Sequence, residues 1–188
     1  MKVKDMNNKQ HVQLTKVTDY DFVSAEKDKY GVFYSRDGLR LIDVDNKTFS
    51  CREYRIKESV KIICDYAFAG CSTIINVIIP DSVEVIGERA FSGCSSLKNI
   101  LIPSSVTRIG RAAFSGCKSF KEIIIPKSVQ YIDRLAFRYC RNLKAVYIPD
   151  SVKRIGMYAF SDCQEITTVR RGRSIYREYE SMGLIATP

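Results

Sequence analysis

The chain has 188 residues, 45% hydrophobic and 27% charged, which sets aside wholesale disorder and fits one domain with a real core. No apolar run approaches the roughly 18 residues needed to cross a bilayer, so no membrane span is expected. The net charge is +9, and residues 98–154 alone carry twelve cations against three acids, which equals the whole excess. A field of that size favours anionic partners, with a solvated, solubilising surface as the plain alternative.

Residues 1–50 show no internal period and are expected to form an N-terminal cap. The polar, charged start does not read as a signal peptide, and the first ten residues are expected to fray. Val12-Gln13-Leu14 and Asp21-Phe22-Val23 read as short strands. Asp37-Gly38, between Val32-Phe33-Tyr34 and Leu39-Arg40-Leu41-Ile42, is a hairpin signal.

From Cys51 the sequence repeats every 23 residues. Pro80, Pro103, Pro126 and Pro149 keep that spacing, as do Cys71, Cys94, Cys117, Cys140 and Cys163. The same holds for the Ala-Phe pairs that begin at Ala67, Ala90, Ala113, Ala136 and Ala159. Residues 51–165 thus divide into five units, and a partial sixth extends to 172. Within a unit, Leu97 to Pro103 reads as a short strand. Ile100 and Ile102 point inward by the period of two, and proline closes the strand. Val106-x-x-Ile109-Gly110 reads as a turn in which glycine suits a left-handed conformation. Asp133 tolerates that slot, and Cys64 there predicts a distorted first repeat. Arg111 to Cys117 follows as a short helical turn with Ala113, Phe114 and Cys117 inward. One such unit cannot bury its own apolar side, but stacked units can, with a parallel sheet along the stack. Arg170-Arg171-Gly172-Arg173 breaks the pattern by placing Arg171 in an inward isoleucine slot. Residues 173–188 are then expected to cap the stack, Ile175 to Met182 as a two-turn helix.

The unit Ile-Pro-x-Ser-Val-x-x-Ile-Gly-x-x-Ala-Phe-x-x-Cys-x-x-Leu, as in Ile102 to Phe120, resembles the BspA-type leucine-rich repeat. The likeness covers residues 51–172. It implies an α/β repeat fold: a right-handed leucine-rich-repeat solenoid with a concave parallel β-sheet, short helical turns on the convex side and terminal caps. It also implies a largely bacterial family of non-catalytic binding proteins, usually at the cell surface or secreted. Two departures stand out. Many such repeats carry Thr or Ser on the outward strand positions, where this chain is apolar. A secretion signal is also missing, so the location expected for the sequence as given is cytoplasmic, with the surface as the alternative if a leader was trimmed.

Chemistry-bearing residues are sparse. His11 stands alone in the segment expected to fray, the carboxylates show no recurrent pairing, and no glycine-rich phosphate loop is present. Spacings of 23 suit neither zinc pairs nor disulfides between stacked neighbours, and seven is an odd count, so the cysteines read as reduced, buried small hydrophobes. No catalytic residue, metal or cofactor is assigned. What varies between repeats is more informative. The outward strand slot holds Arg55, Ile78, Leu101, Ile124, Tyr147 and Arg170, an apolar row with arginine at both ends. That pattern resembles a protein-binding patch, with self-association included. β-propensity alone, or a cap folded over the row, would also account for it. The alternative function is polyanion or nucleic-acid binding through Arg108, Arg111, Arg134, Arg138, Arg141 and Arg154, though no nucleic-acid motif is present. The expected partner is a protein, of acidic character given the basic middle repeats.

Overall fold

The computed structural model describes residues 13–171, so the expected fraying of residues 1–10 and the C-terminal cap over 173–188 lie outside the described residues. Helix α1 (Asp19–Ser24) and strands β1 (Glu26–Lys27), β2 (Val32–Tyr34) and β3 (Arg40–Val44) precede the repeats. Each full repeat then supplies two strands rather than one. The first strands are β4 (Glu53–Arg55), β6 (Asn76–Ile78), β8 (Asn99–Ile100), β10 (Glu122–Ile124) and β12 (Ala145–Ile148), with β14 (Thr168–Arg171) from the partial repeat. They stack in parallel as two short sheets, β4-β6-β8 and β10-β12-β14. The second strands are β5 (Ile62–Ile63), β7 (Val85–Ile86), β9 (Arg108–Ile109), β11 (Tyr131–Ile132) and β13 (Arg154–Ile155). They continue the hairpin into one eight-stranded sheet, β1-β2-β3-β5-β7-β9-β11-β13. The result is a solenoid of about six turns with very little helix.

The second sheet corrects the reading of Val106-x-x-Ile109-Gly110 as a turn. Two residues per strand are too few to show a period, so the segment carries no strand signal of its own. The left-handed expectation for Gly87, Gly110 and Gly156 is also wrong, since none of them has a positive φ. Glycine is there for space. A Cβ on Gly110 would lie 2.7 Å from the carbonyl carbon and oxygen of Gly87, one coil below. Asp133 fills the same slot and places its carboxylate on Arg108 (2.6 and 2.8 Å). Cys64 fills it in the first repeat without distortion: its N–H still donates to the preceding strand at Leu41 (2.9 Å), and Tyr66 has the same φ of 64° as Leu135.

The left-handed residues fall later in the unit. Tyr66, Arg89, Ala112, Leu135 and Tyr158 form one such column, with φ between 51° and 64°. Gly70, Gly93, Gly116, Tyr139 and Asp162 form the other, between 60° and 77°. Two positive-φ residues in one short segment stop an α-helix from propagating, so the expected helical turns are realised as tight turns.

Inside the coil, Phe68, Phe91, Phe114, Phe137 and Phe160 stack with centroids 5.1–5.4 Å apart and planes within 11° of parallel. Each such pair contributes about 0.5–1.5 kcal/mol beyond simple burial. The cysteine column does more than fill space. The thiols of Cys94, Cys117, Cys140 and Cys163 each donate to the phenylalanine carbonyl of the coil below, at 3.1–3.2 Å. Cys71 has no such coil beneath it and donates instead to Asn46 Oδ1 of the cap (2.7 Å). A serine column works alike: Ser82 and Ser151 donate to Val60 and Val129 (2.7 and 3.2 Å).

The hairpin expected around Asp37-Gly38 is present, and Gly38 has a φ of 69°. Asp21-Phe22-Val23, expected as a strand, is helix. Thr18 caps it by accepting from the N–H of Asp21, whose carboxylate accepts from the N–H of Thr18 in return, and this capping box outweighs the β-propensity of Phe and Val. Gln13 to Thr15 are helical as well, not extended. This N-terminal strap lies across the second sheet, where Leu14 and Val17 pack on Ile62, Cys64 and Val85. Asp65 donates its N–H to the carbonyl of Thr15 (2.9 Å), and Arg40 pairs with Asp21 (2.6 Å).

Candidate interaction surface

The strands β4, β6, β8, β10 and β12 alternate as expected. Tyr54, Val77, Ile100, Ile123 and Val146 are buried, and the next residue of each coil faces solvent or is half-buried. Leu101 is 82% exposed, Ile124 57% and Ile78 45%, while Tyr147 is half-buried. Pairing places Arg55 beside Ile78, and Ile124, Tyr147 and Arg170 side by side. Leu101 follows the end of β8, at the seam between the two short sheets. Among the described residues, the strap packs its Leu14 and Val17 on the other sheet and not on this row. Arg55 approaches Glu58 at 3.9 Å, an exposed pair of little energetic weight.

Three lysines run beside the row, one per coil and also 23 residues apart: Lys98, Lys121 and Lys144. All three are exposed, and none is in an ion pair with another described residue. The sequence reading counted them as charge but missed them as a column, although their spacing was the available signal.

The six arginines of the alternative reading occupy four different positions of the repeat and do not form one row. Arg108 is clamped by Asp133 in a mostly buried pair and lies over the Tyr131 ring at 5.5 Å. Arg111 pairs with Glu88 (3.3 Å) and Arg138 with Asp162 (3.0 Å). Arg134, Arg141 and Arg154 are exposed. Among the described residues, no group of three or more His, Cys, Asp or Glu side chains could hold a metal ion. Burial pushes the Cys71 thiol up to about 12 and Cys94, Cys117 and Cys140 well above the ordinary range, so these thiols are not poised as nucleophiles. No helix among the described residues is long and apolar enough to cross a membrane.

Comparison with known proteins follows the same lines. A family model described as a BspA type leucine rich repeat region matches residues 44–167 in six copies, about two thirds of the chain. Among solved structures, a leucine rich cell surface protein from Faecalibacterium prausnitzii is 29% identical with a TM-score of 0.76, covering 88% of this chain and 44% of its own. A leucine rich repeat protein from T. pallidum is 29% identical with a TM-score of 0.66, covering 77% of this chain and 71% of its own. The pneumococcal vaccine antigen PcpA shares the fold at 21% identity and a TM-score of 0.72, and this chain spans 41% of it. The chain thus spans less than half the length of the Faecalibacterium and pneumococcal proteins. No curated protein matches it.

Proposed function

The chain belongs to the BspA-type leucine-rich repeat family, and from that premise we propose that it is a non-catalytic protein-interaction module whose partner sits on the outward row of Arg55, Ile78, Leu101, Ile124, Tyr147 and Arg170. The carrying observation is the exposure of Leu101 and Ile124 on adjacent coils. Burying two such side chains in a partner removes apolar area worth about 1.5–3 kcal/mol each, and contiguous apolar rows on soluble proteins are commonly binding sites.

The test compares two variants in affinity capture. Leu101→Glu with Ile124→Glu should lose the partner while circular dichroism and Tm stay close to wild type. Arg134→Glu, Arg141→Glu and Arg154→Glu together should keep it. The reverse result supports the polyanion reading, which also requires binding to fall steeply with salt. Fractionation decides between the cytoplasm and the cell surface, the location of the Faecalibacterium relative.

A further inference from the structure

We propose that the occupant of this row is an acidic amphipathic α-helix about ten residues long, lying along the solenoid axis with its apolar stripe on Ile78, Leu101 and Ile124 and its carboxylates over Lys98, Lys121 and Lys144. The inference rests on the apolar row being the binding surface and adds the chemistry and shape of what binds there.

Charge sets the sign of the partner. The three lysines are exposed, stacked on successive coils and free of ion-pair partners among the described residues. Like charges held on neighbouring rungs repel, and carboxylates from a partner relieve that repulsion. Among the described residues the acids beside the row are Glu53, which accepts a hydrogen bond from Asn76 Nδ2 at 2.8 Å, Glu58, which lies 3.9 Å from Arg55, and Glu122 on β10. They are too few to neutralise the lysines together with Arg52 and Arg55.

Spacing sets the shape. Neighbouring coils lie about 4.8 Å apart, so the row from Ile78 to Tyr147 spans roughly 14 Å. An α-helix advances about 5.4 Å per turn and 1.5 Å per residue, so ten residues cover that span with one contact per rung. The mismatch accumulates to about 2 Å over three turns. An extended peptide presents like-facing side chains about 6.7 Å apart and loses register by about 2 Å at every rung. The lysine column precedes the apolar row by three residues, roughly 10 Å of strand, which matches the diameter of a helix with its side chains. A helix with leucines at i, i+3, i+4 and i+7 and acids along one flank therefore meets both columns at once.

The probe is a synthetic alanine-based peptide of about 15 residues, long enough to hold helix, with that leucine stripe and a flanking line of glutamates. It is titrated into the full chain by fluorescence anisotropy beside a second peptide in which every glutamate is lysine. The acidic peptide should bind about tenfold or more tightly than the basic one, and Lys98→Glu, Lys121→Glu and Lys144→Glu together should invert the ranking. Equal binding of the two peptides, with no effect of the triple variant, overturns the acidic partner. The row reading survives that outcome if Leu101→Glu still abolishes binding. No binding of either peptide overturns the helical occupant and leaves the row to be judged by the capture experiment. Concentration-dependent dimerisation of the chain that Leu101→Glu removes also overturns it, in favour of a second copy.

Discussion

Two glycines of one repeat separate two physical reasons for having no side chain. Gly110 has an ordinary φ, but an added Cβ meets Gly87 C, Gly87 O and Ile86 O at 2.7 Å, all backbone atoms of the neighbouring coil. No rotamer change relieves that overlap, so the coils must separate and loosen the bond from Gly110 N–H to Ile86 O (3.2 Å). Gly110→Ala should therefore cost about 3 kcal/mol, the upper range for overpacking, and lower Tm by roughly 6–12 °C. Gly116 has a φ of 76°, and its Cβ would meet nothing closer than 3.6 Å. Gly116→Ala carries only the left-handed penalty of about 1–2 kcal/mol, partly offset by the lower entropy of the unfolded alanine chain. Its Tm should fall by a few degrees at most. Urea and thermal unfolding of both variants, followed by far-UV circular dichroism, make the comparison. Asp133 and Cys64 show that the slot accepts a Cβ in two repeats, but Cys64 stacks on the cap strand at Leu41 rather than on another repeat, and Arg108 holds the Asp133 carboxylate through two hydrogen bonds. Gly110→Ala brings the methyl without that compensation. If it proves no more destabilising than Gly116→Ala, the close-approach argument is wrong.

Three further outcomes are expected. Phe114→Ala, with stacked neighbours on both sides, should cost about 3–5 kcal/mol by denaturant titration, and more than Phe160→Ala, whose ring stacks on Phe137 on one side only among the described residues. Replacing Leu14 and Val17 with Ser should uncover Ile62 and Val85, lower Tm and raise dye binding to exposed apolar surface, with the outward row unaffected. The raised thiols make alkaline pH destabilising. Folded Cys71 holds its proton to about 12 while the unfolded thiol releases it near 9.0. Stability contributed by that thiol is therefore flat below the unfolded value and falls above it, by about 1.4 kcal/mol per pH unit. The Tm of Cys71→Ala should decline less between about pH 8 and 10 than that of the wild type, and parallel declines would refute the assignment.

The period of 23 was enough to predict the stack, because each inward column repeats and no unit can bury itself. The phenylalanine and cysteine columns and the alternation at Tyr54/Arg55 through Val146/Tyr147 were legible for that reason, and the hairpin was legible from the Asp37-Gly38 turn between apolar runs. The second strand of each repeat was not, since two residues such as Ile86 or Ile109 with one neighbour show no period. The helix at Asp19–Ser24 was missed because a capping box between Thr18 and Asp21 overrode local propensity. The left-handed columns were assigned to the wrong glycines, because spacing identifies a glycine without saying whether φ or a neighbour demands it. For the candidate surface, the sequence by itself determined which residues vary from coil to coil. Only the tertiary structure decided which of them remain available. The strap covers Ile62 and Val85 and leaves Leu101 open, while Arg108, Arg111 and Arg138 are engaged by carboxylates 23–25 residues away. Those outcomes depend on contacts between coils and across the cap, which no local pattern encodes.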